Sequence, residues 1–418
     1  MSQTFARGAC PGLSAPMQTG DGLLARLVLA ESISLKALAG LCAAARTHGN
    51  GTMEISARGN IQIRGLTPAS APRFSDAVTT LGIEACDGVP VIASPLPAEP
   101  SALLDAANLA RTLRLAIASL APPLAPKVSV IADGGGTLHL DALAADIRLR
   151  AVASARGPLL HVALAGDGAT ATPLGLIAPD DACDTVVGLL RLIAANGRAA
   201  RAADVLQSHG IAPFEAVVRG RIALQSPLAR RLPAEPVATH ALKNDLYALG
   251  VGLAFGHVQA DTLRALTETA RMHGSSWARP AFSRTLLLGP LARTKVKTLR
   301  DQARCLGFAV DRADPRRRIV ACPGAPACAS GLIASREIAA ALAGDLPVAG
   351  DGIALHVSGC AKGCAHPAPV PLTIVGTERG CGIVHDGTAR AVPSSYATPG
   401  DLAEEIERII KTREAVDA

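Results

Sequence analysis

Val91-Ile92-Ala93-Ser94-Pro95 and Ile319-Val320-Ala321-Cys322-Pro323 read as two versions of one short strand running into a turn, roughly 225 residues apart. An interval that long is no solenoid period; it marks a two-part unit present twice. A second pair keeps the interval. Leu38 to Gly49 reads as an amphipathic helix ending in Thr-His-Gly, with a strand around Ile61 after it. Leu263 to Gly274 reads as a helix ending in Met-His-Gly, followed by the strand Leu286-Leu287-Leu288. At a somewhat shorter offset, the strand His161 to Gly166 answers Leu372 to Gly376. Helical runs alternate with short β-branched strands inside each copy, which predicts an α+β architecture with approximate two-fold symmetry. Pro- and Ala-rich text from Ser226 to His240 reads as the linker between copies. The expected units are residues 1–86, 87–225, 226–310 (linker included) and 311–418.

The copies differ where chemistry would sit. Copy two has Cys322 where copy one has Ser94. Copy two has the loop Cys360-Ala361-Lys362-Gly363-Cys364 where copy one has Ala132-Asp133-Gly134-Gly135-Gly136. Those glycines lack a Walker lysine and the Rossmann spacing, so they read as a strand-end turn. Copy one has no thiols for a cluster. Cys322 with Cys328, and Cys360 with Cys364, lie in two loops of small residues, where backbone can wrap closely around an object. A four-iron cluster needs four thiolates and little bulk around its sulfurs. Zinc fits less well, because paired cysteines of zinc sites are usually two to four residues apart, and five residues separate Cys322 from Cys328.

Composition narrows the field. A chain of 418 residues holds two to four modules. It is 49% hydrophobic but 2% aromatic, so Ala, Leu, Val and Ile build the core. One Trp and few Phe leave no stacking surface for single-stranded nucleic acid. The net charge of +6 is spread out, unlike the focused patch of a nucleic-acid binder. No nucleic acid and no membrane are expected as partners: no run of about 18 apolar residues is present. The opening, Met1 to Gly12, has no apolar h-region. Ten cysteines without a secretory signal point to the cytoplasm and to metal work. Cys42, Cys86, Cys183, Cys305 and Cys381 read as packing residues, while Cys10 shares the Cys-Pro-Gly context of Cys322.

The spacing C-x5-C then C-x3-C resembles the siroheme-dependent sulfite and nitrite reductases. Ile55-Ser56-Ala57-Arg58-Gly59-Asn60-Ile61-Gln62-Ile63-Arg64-Gly65 looks like that superfamily's tetrapyrrole-contacting strand. The opening Arg7-Gly8-Ala9-Cys10-Pro11-Gly12, with Met17-Gln18-Thr19-Gly20-Asp21-Gly22-Leu23-Leu24-Ala25-Arg26, is similar to the precorrin-3B synthases, a cobalamin-pathway family of the superfamily. The likeness covers nearly the whole chain. It implies two ferredoxin-like half-domains forming a central unit, plus two sulfite/nitrite reductase-type α/β domains.

The resemblance also assigns roles. Cys322, Cys328, Cys360 and Cys364 would hold a 4Fe–4S cluster. Arg26, Arg58 and Arg64 would clamp substrate carboxylates, since guanidinium matches carboxylate bidentately. Arg58, Asn60, Gln62 and Arg64 share one face if the whole stretch is a strand. Lys127 resembles a lysine that helps bind the small anion in the reductases. Lys362 would offset cluster charge or bind a substrate carboxylate, or stand solvated. A mononuclear non-haem iron is allowed, with Cys364 bridging to it and His366 as a nitrogen ligand; the plainer reading of His366 is a loop histidine bonded to backbone. Siroheme is not expected. The reductases carry an Arg-Asn step before the strand that reads Gly88-Val89-Pro90-Val91 here, so an anion-binding arginine is missing. Arg279 and Arg284 flank Pro280-Ala281-Phe282-Ser283, and either could match a family Pro-x-Arg contact. Arg316-Arg317-Arg318 is a solvated face or a docking point for an acidic donor.

The implied activity is a monooxygenase reaction: precorrin-3A hydroxylated from dioxygen at the meso carbon between rings A and D, with a γ-lactone formed. Electrons would come from a separate reductase, as the chain has no nicotinamide fingerprint. The alternatives are a siroheme sulfite or nitrite reductase, and a non-catalytic iron–sulfur electron carrier. The carrier would not need a duplicated scaffold with an arginine-lined strand.

Overall fold

A computed structural model describes residues 11–86, 88–120, 124–219, 228–344 and 352–408. The Arg7 to Cys10 part of the opening motif lies outside them. The first half-domain runs β1 (Met17–Thr19), β2 (Gly22–Leu27), β3 (Ile33–Ser34), α1 (Leu35–His48), β4 (Thr52–Ile55), β5 (Ile61–Leu66) and α2 (Ser70–Thr80). A larger domain follows with β6 (Val91–Ala93), α3 (Ala106–Ala118), β7 (Val130–Asp133), β8 (Ala145–Val152), β9 (Leu159–Gly166), β10 (Thr172–Ile177), α4 (Ala182–Ala195), α5 (Ala202–His209) and α6 (Ala212–Val218). The order then repeats. The second half-domain has β11 (Thr239–Ala241), β12 (Leu246–Gly252), β13 (His257–Gln259), α7 (Ala260–Met272), β14 (Trp277–Ala281), β15 (Thr285–Ala292) and α8 (Arg293–Cys305). The last domain has β16 (Ile319–Ala321), α9 (Ser335–Ala341), β17 (Leu355–Ser358), β18 (Val370–Thr377), β19 (Gly380–Gly387) and β20 (Ser395–Ala397).

The half-domains fold as one body because each lends a strand to the other. One sheet runs β1-β2-β5-β4-β13 and the other β11-β12-β15-β14-β3. Thus β13 pairs with β4 (Val258 with Met53), and β3 pairs with β14 (Ile33 with Ala278). The helices follow from local signals. The Ser34 side chain caps α1 by accepting from the Ala37 amide at 3.1 Å. Leu38, Leu41, Cys42 and Ala45 then recur on one face, as do Leu263, Leu266 and Ala270 on α7. These faces meet Ile61, Ile63, Leu286 and Leu288 in one core that both halves share. Between copies, the turn after β4 meets the turn after β14, with Arg58 bridging Phe282.

The two larger domains share a topology. In each, three strands are parallel and two antiparallel: β6-β7-β8 then β9 and β10, and β16-β17-β18 then β19 and β20. One correspondence expected from sequence is corrected. The counterpart of β18 is β8, not the His161 strand β9. Val130 pairs with Ile147 as Leu355 pairs with Leu372. Strands β8 and β9 are adjacent and both eight residues long, but β8 carries Asp146, Arg148 and Arg150, so by composition the aliphatic β9 looks more like β18. The linker is pinned as well as extended: Arg231 bonds Asp141, with Nε to Oδ2 at 2.9 Å, and Asp133, with Nη2 to Oδ2 at 2.5 Å.

The shared core makes a prediction. Leu38→Ala removes a fully buried side chain and costs about 2–5 kcal/mol. Hydrogen exchange on this variant is expected to lose protection in β12 and β15 as well as in β5. Loss confined to the first half-domain would show that the halves do not share a core.

Candidate functional site

The thiols come from the carboxyl ends of two adjacent parallel strands. Cys322 follows β16 and Cys360 follows β17, with Ala321 paired to Val357. The loops are tied backbone to backbone: Cys322 N donates to Val357 O at 3.2 Å and Leu332 N to Gly359 O at 2.7 Å. Gly359 N also donates to Cys322 Sγ at 3.0 Å. A Cβ on Gly359 would lie 3.0 Å from Gly324 Cα, so only glycine lets the loops approach this closely. The Lys362 ammonium donates to Ser330 Oγ at 3.0 Å, joining the second loop to the first. Copy one keeps the geometry and lacks the sulfur. Ser94 N donates to Ala132 O at 3.1 Å, and Gly134 N to Ser94 Oγ at 3.3 Å.

The four thiols stand close enough for their charges to act on one another. Burial pushes the Cys364 thiol up from its ordinary value, and Cys360, Cys322 and Cys328 push it the same way. Mutual repulsion of this kind is relieved when thiolates share a cationic group. Together with the amide aimed at Cys322 Sγ, it fits these residues to an iron–sulfur cluster. Among the described residues, no three His, Cys, Asp or Glu side chains gather to hold a single metal ion. His366 packs edge-on against the fully buried His356, ring centroids 6.0 Å apart, and both imidazole nitrogens of His356 lack partners. Among the described residues, these two imidazoles have no third ligand beside them to make a mononuclear iron site.

Facing the thiol loops is a polar row across the first central sheet. Arg26 of β2, Gln62 of β5, Glu54 of β4 and His257 of β13 stand in register. With the Gln62 amide oriented by its partners, its oxygen accepts from Arg26 Nη2 at 2.9 Å and Nε at 3.0 Å, and its nitrogen donates to Glu54 Oε2 at 2.8 Å. Glu54 accepts from Arg336 Nη2 of α9 at 2.5 Å. Burial, then the field of Arg336, lowers His257 to about 4, so it stands neutral. On the same face of β5, Arg64 is 3% exposed. Its Nε and Nη2 fork onto Asp21 at 2.9 and 2.7 Å, and Nη2 also donates to Ala327 O at 2.7 Å, between Cys322 and Cys328. Its guanidinium is thus occupied by protein acceptors. A Cβ on Gly20 would lie 2.5 Å from Ala329 N, so the β1–β2 turn presses directly on the cysteine loop.

The expected residues therefore divide. Gln62 and Arg64 lie on one strand face, but Arg58 and Asn60 do not. Ser56 to Asn60 form a tight turn, closed by Ser56 N to Asn60 O at 2.9 Å and allowed by Gly59 at φ +78°. Arg58 is exposed there and reaches the first large domain, donating to Ala144 O at 2.7 Å and Ser129 Oγ at 3.4 Å. Lys127 is exposed two residues before Ser129. Arg284 lies on the cysteine side, where its field lowers His356 and His366, while Arg279 lines cavities beside the Ser94 loop. In the arginine run, Arg316 pairs with Asp314 and Arg317 with Glu235. Of the cysteines read as packing residues, Cys305 is exposed. Sequence reading missed Asp21, Glu54 and Arg336; the legible signal was Glu54, a lone acid in the apolar strand Thr52-Met53-Glu54-Ile55.

Comparison with known proteins agrees with this architecture. Residues 16–80 match the nitrite/sulfite reductase ferredoxin-like half domain. The solved structure of the Mycobacterium tuberculosis NirA protein superposes with a TM-score of 0.74 at 19% identity, covering 93% of this chain and 80% of that one. The fold is thus that of the sulfite/nitrite reductase superfamily. A ferredoxin–nitrite reductase of Synechococcus elongatus is 24% identical over 90% of this chain and 78% of its own length. A precorrin-3B synthase of Sinorhizobium is 36% identical over 97% of this chain and 88% of its own length. The chain belongs to the precorrin-3B synthase family. Among the described residues, no helix is long and apolar enough to cross a membrane.

The Asp21–Arg64 pair generates a pH prediction. Burial alone would raise Asp21, but hydrogen bonds and the charge of Arg64 outweigh it and hold the carboxyl below its usual 3.8. A depressed carboxylate contributes stability above its unfolded pKa and loses it as pH falls through the folded value. Asp21→Asn leaves Arg64 buried without its partner and is expected to cost about 3 kcal/mol at neutral pH. Denaturant titrations should show that cost shrinking below the ordinary carboxylate range. A cost independent of pH would mean that the pair is not ionic.

Proposed function

We propose that this chain carries out the precorrin-3B synthase reaction, hydroxylating precorrin-3A at the meso carbon between rings A and D with γ-lactone closure by a ring A acetate. One oxygen atom of dioxygen becomes the hydroxyl, and the other leaves as water with two electrons and two protons. The reading is carried by one observation: the polar row Arg26-Gln62-Glu54 and its neighbour Arg64 are tied to the first cysteine loop and the helix after it, through Ala327 and Arg336, in one copy only. In the other copy the corresponding row is Gly250, Leu287 and Arg279, and Leu287 belongs to an apolar cluster with Leu96, Leu140 and Phe282. A row kept polar beside the thiols, and apolar at the matching Leu287 in the other copy, suits an acidic macrocycle on the thiol side.

A 4Fe–4S cluster held by Cys322, Cys328, Cys360 and Cys364 supplies electrons one at a time when bound. The chain's own residues bind and orient. Arg26, in the polar row, and Arg58, in the turn against the first large domain, would take substrate acetate and propionate groups, with Lys127 two residues before Ser129 and Asn60 in the same turn as Arg58. Gln62 holds the Arg26 guanidinium in place through two hydrogen bonds. Arg64 acts as the anchor of the cysteine loop and not as a clamp, and Lys362 closes that loop through Ser330. A separate reductase delivers electrons, and the reduced cysteines suit the cytoplasm.

The test is incubation with precorrin-3A and dioxygen under an artificial reductant. A hydroxylactone product, one oxygen heavier, is expected. Turnover of sulfite or nitrite by protein carrying siroheme bands would replace this reading with a reductase. In the same assay, Arg58→Ala removes a charge-assisted hydrogen bond and is expected to raise KM about tenfold. An unchanged KM would take Arg58 out of substrate binding.

A further inference from the structure

The seam between the central unit and the first large domain corresponds, through the duplication, to the seam at the cysteine loops. Arg279 occupies the register position of Glu54: Glu54 pairs with Gln62, and Arg279 with Leu287, on matching strands. The charge is reversed. Glu54 meets Arg336 from the helix after the Cys322 loop. Arg279 meets no acid from α3, the helix after the Ser94 loop; α3 presents Arg111 to the same cavity. An ion pair closes one seam, and like charges leave the other open.

Arg279 is 8% exposed, and its Nη1 is buried with no hydrogen-bond partner among the described residues. Burial and the nearby Arg114 lower it to about 10, while Glu31 acts on it through space without a hydrogen bond. A buried guanidinium nitrogen without a partner is costly until something pairs with it. Beside it is a cavity of about 630 Å³, within the range of small-molecule sites. Its walls combine Arg279, Arg111 and Lys243 with Trp277, Leu103 and Leu104; Glu31, Glu99 and Asp105 also border it, and Asp105 is committed to capping α3 through the Ala107 and Asn108 amides. Glu99 is already committed to the Thr137 hydroxyl at 2.5 Å and to Ser101 Oγ at 2.9 Å.

The chemistry selects among anions. A phosphate would want a run of free loop amides, and three of those at the glycine loop are occupied. Gly134 N donates to Ser94 Oγ, Gly135 N to Asp133 Oδ1 at 2.9 Å, and Thr137 N to Glu99. What remains is a planar fork set among apolar walls, which matches an organic carboxylate. We infer that this cavity is a second ligand site, taking a carboxylate-bearing molecule of the tetrapyrrole class with Arg279 forked onto one carboxylate. The tetrapyrrole class rests on the proposed function; the carboxylate rests on Arg279.

Coproporphyrin I, a fluorescent tetracarboxylate, is the probe, titrated into the full-length holoprotein. The wild type is expected to show two binding phases, and Arg279→Leu to lose one by about tenfold or more in affinity. Arg279→Lys should keep part of it, and the tetramethyl ester should not bind there. Thermal melts separate this from a structural role. Relieved of an unpaired buried charge, ligand-free Arg279→Leu should melt higher than the wild type and lose the shift that this site confers. A lower melting temperature with both phases intact would overturn the inference, as would displacement of the Arg279-dependent phase by inorganic phosphate at lower concentration than by acetate. Arg279-dependent binding without any precorrin-3A turnover would sink the proposed function and leave this site standing.

Discussion

The buried pair of Glu54 and Arg336 holds the functional half of the molecule together. It joins the central sheet to the helix that follows the first cysteine loop, at 2.5 Å and with both side chains largely out of water. An ion pair so placed contributes little net stability, but removing one partner leaves an uncompensated buried charge. It therefore fixes geometry more than it adds stability. Gln62 passes that constraint to Arg26, and Arg64 repeats it one step along β5 by joining Asp21 to Ala327. These six side chains set where the thiol loops stand relative to the polar floor.

Duplication explains why these side chains stand out. Both copies keep the same strand order, the same loop-closing amides and the same parallel pair at the mouth of each large domain. They differ in what points into the seam: cysteine, glutamate and glutamine in one; serine, arginine and leucine in the other. Two seams built on one backbone plan thereby have different chemistry. One is closed by ions beside the thiol loops, and the other holds an apolar cluster beside an open cavity.

Much of this was legible in the sequence. Matched helices and strands at a constant interval showed the duplication, because helix amphipathicity and strand composition are local properties. The cysteine loops were legible because small residues and paired thiols leave few other readings. The strand match of Leu372 failed because its true counterpart β8 carries Asp146, Arg148 and Arg150, while the neighbouring β9 shares the aliphatic composition of β18. The single polar face expected from Arg58 to Arg64 failed because Gly59 turns the chain at its left-handed φ. Glu54 stood out as a lone acid in an apolar strand, but its role was hidden because its partner Arg336 comes from a distant part of the chain and only the folded topology brings the two together.

The most direct test is metal analysis of anaerobically purified protein, with EPR of the reduced state, for the wild type and Cys360→Ser. About four irons and four labile sulfides per chain are expected in the wild type, with the cluster signal lost in the variant. A single zinc per chain, or an iron–sulfur signal indifferent to Cys360, would contradict the assignment of the four thiols.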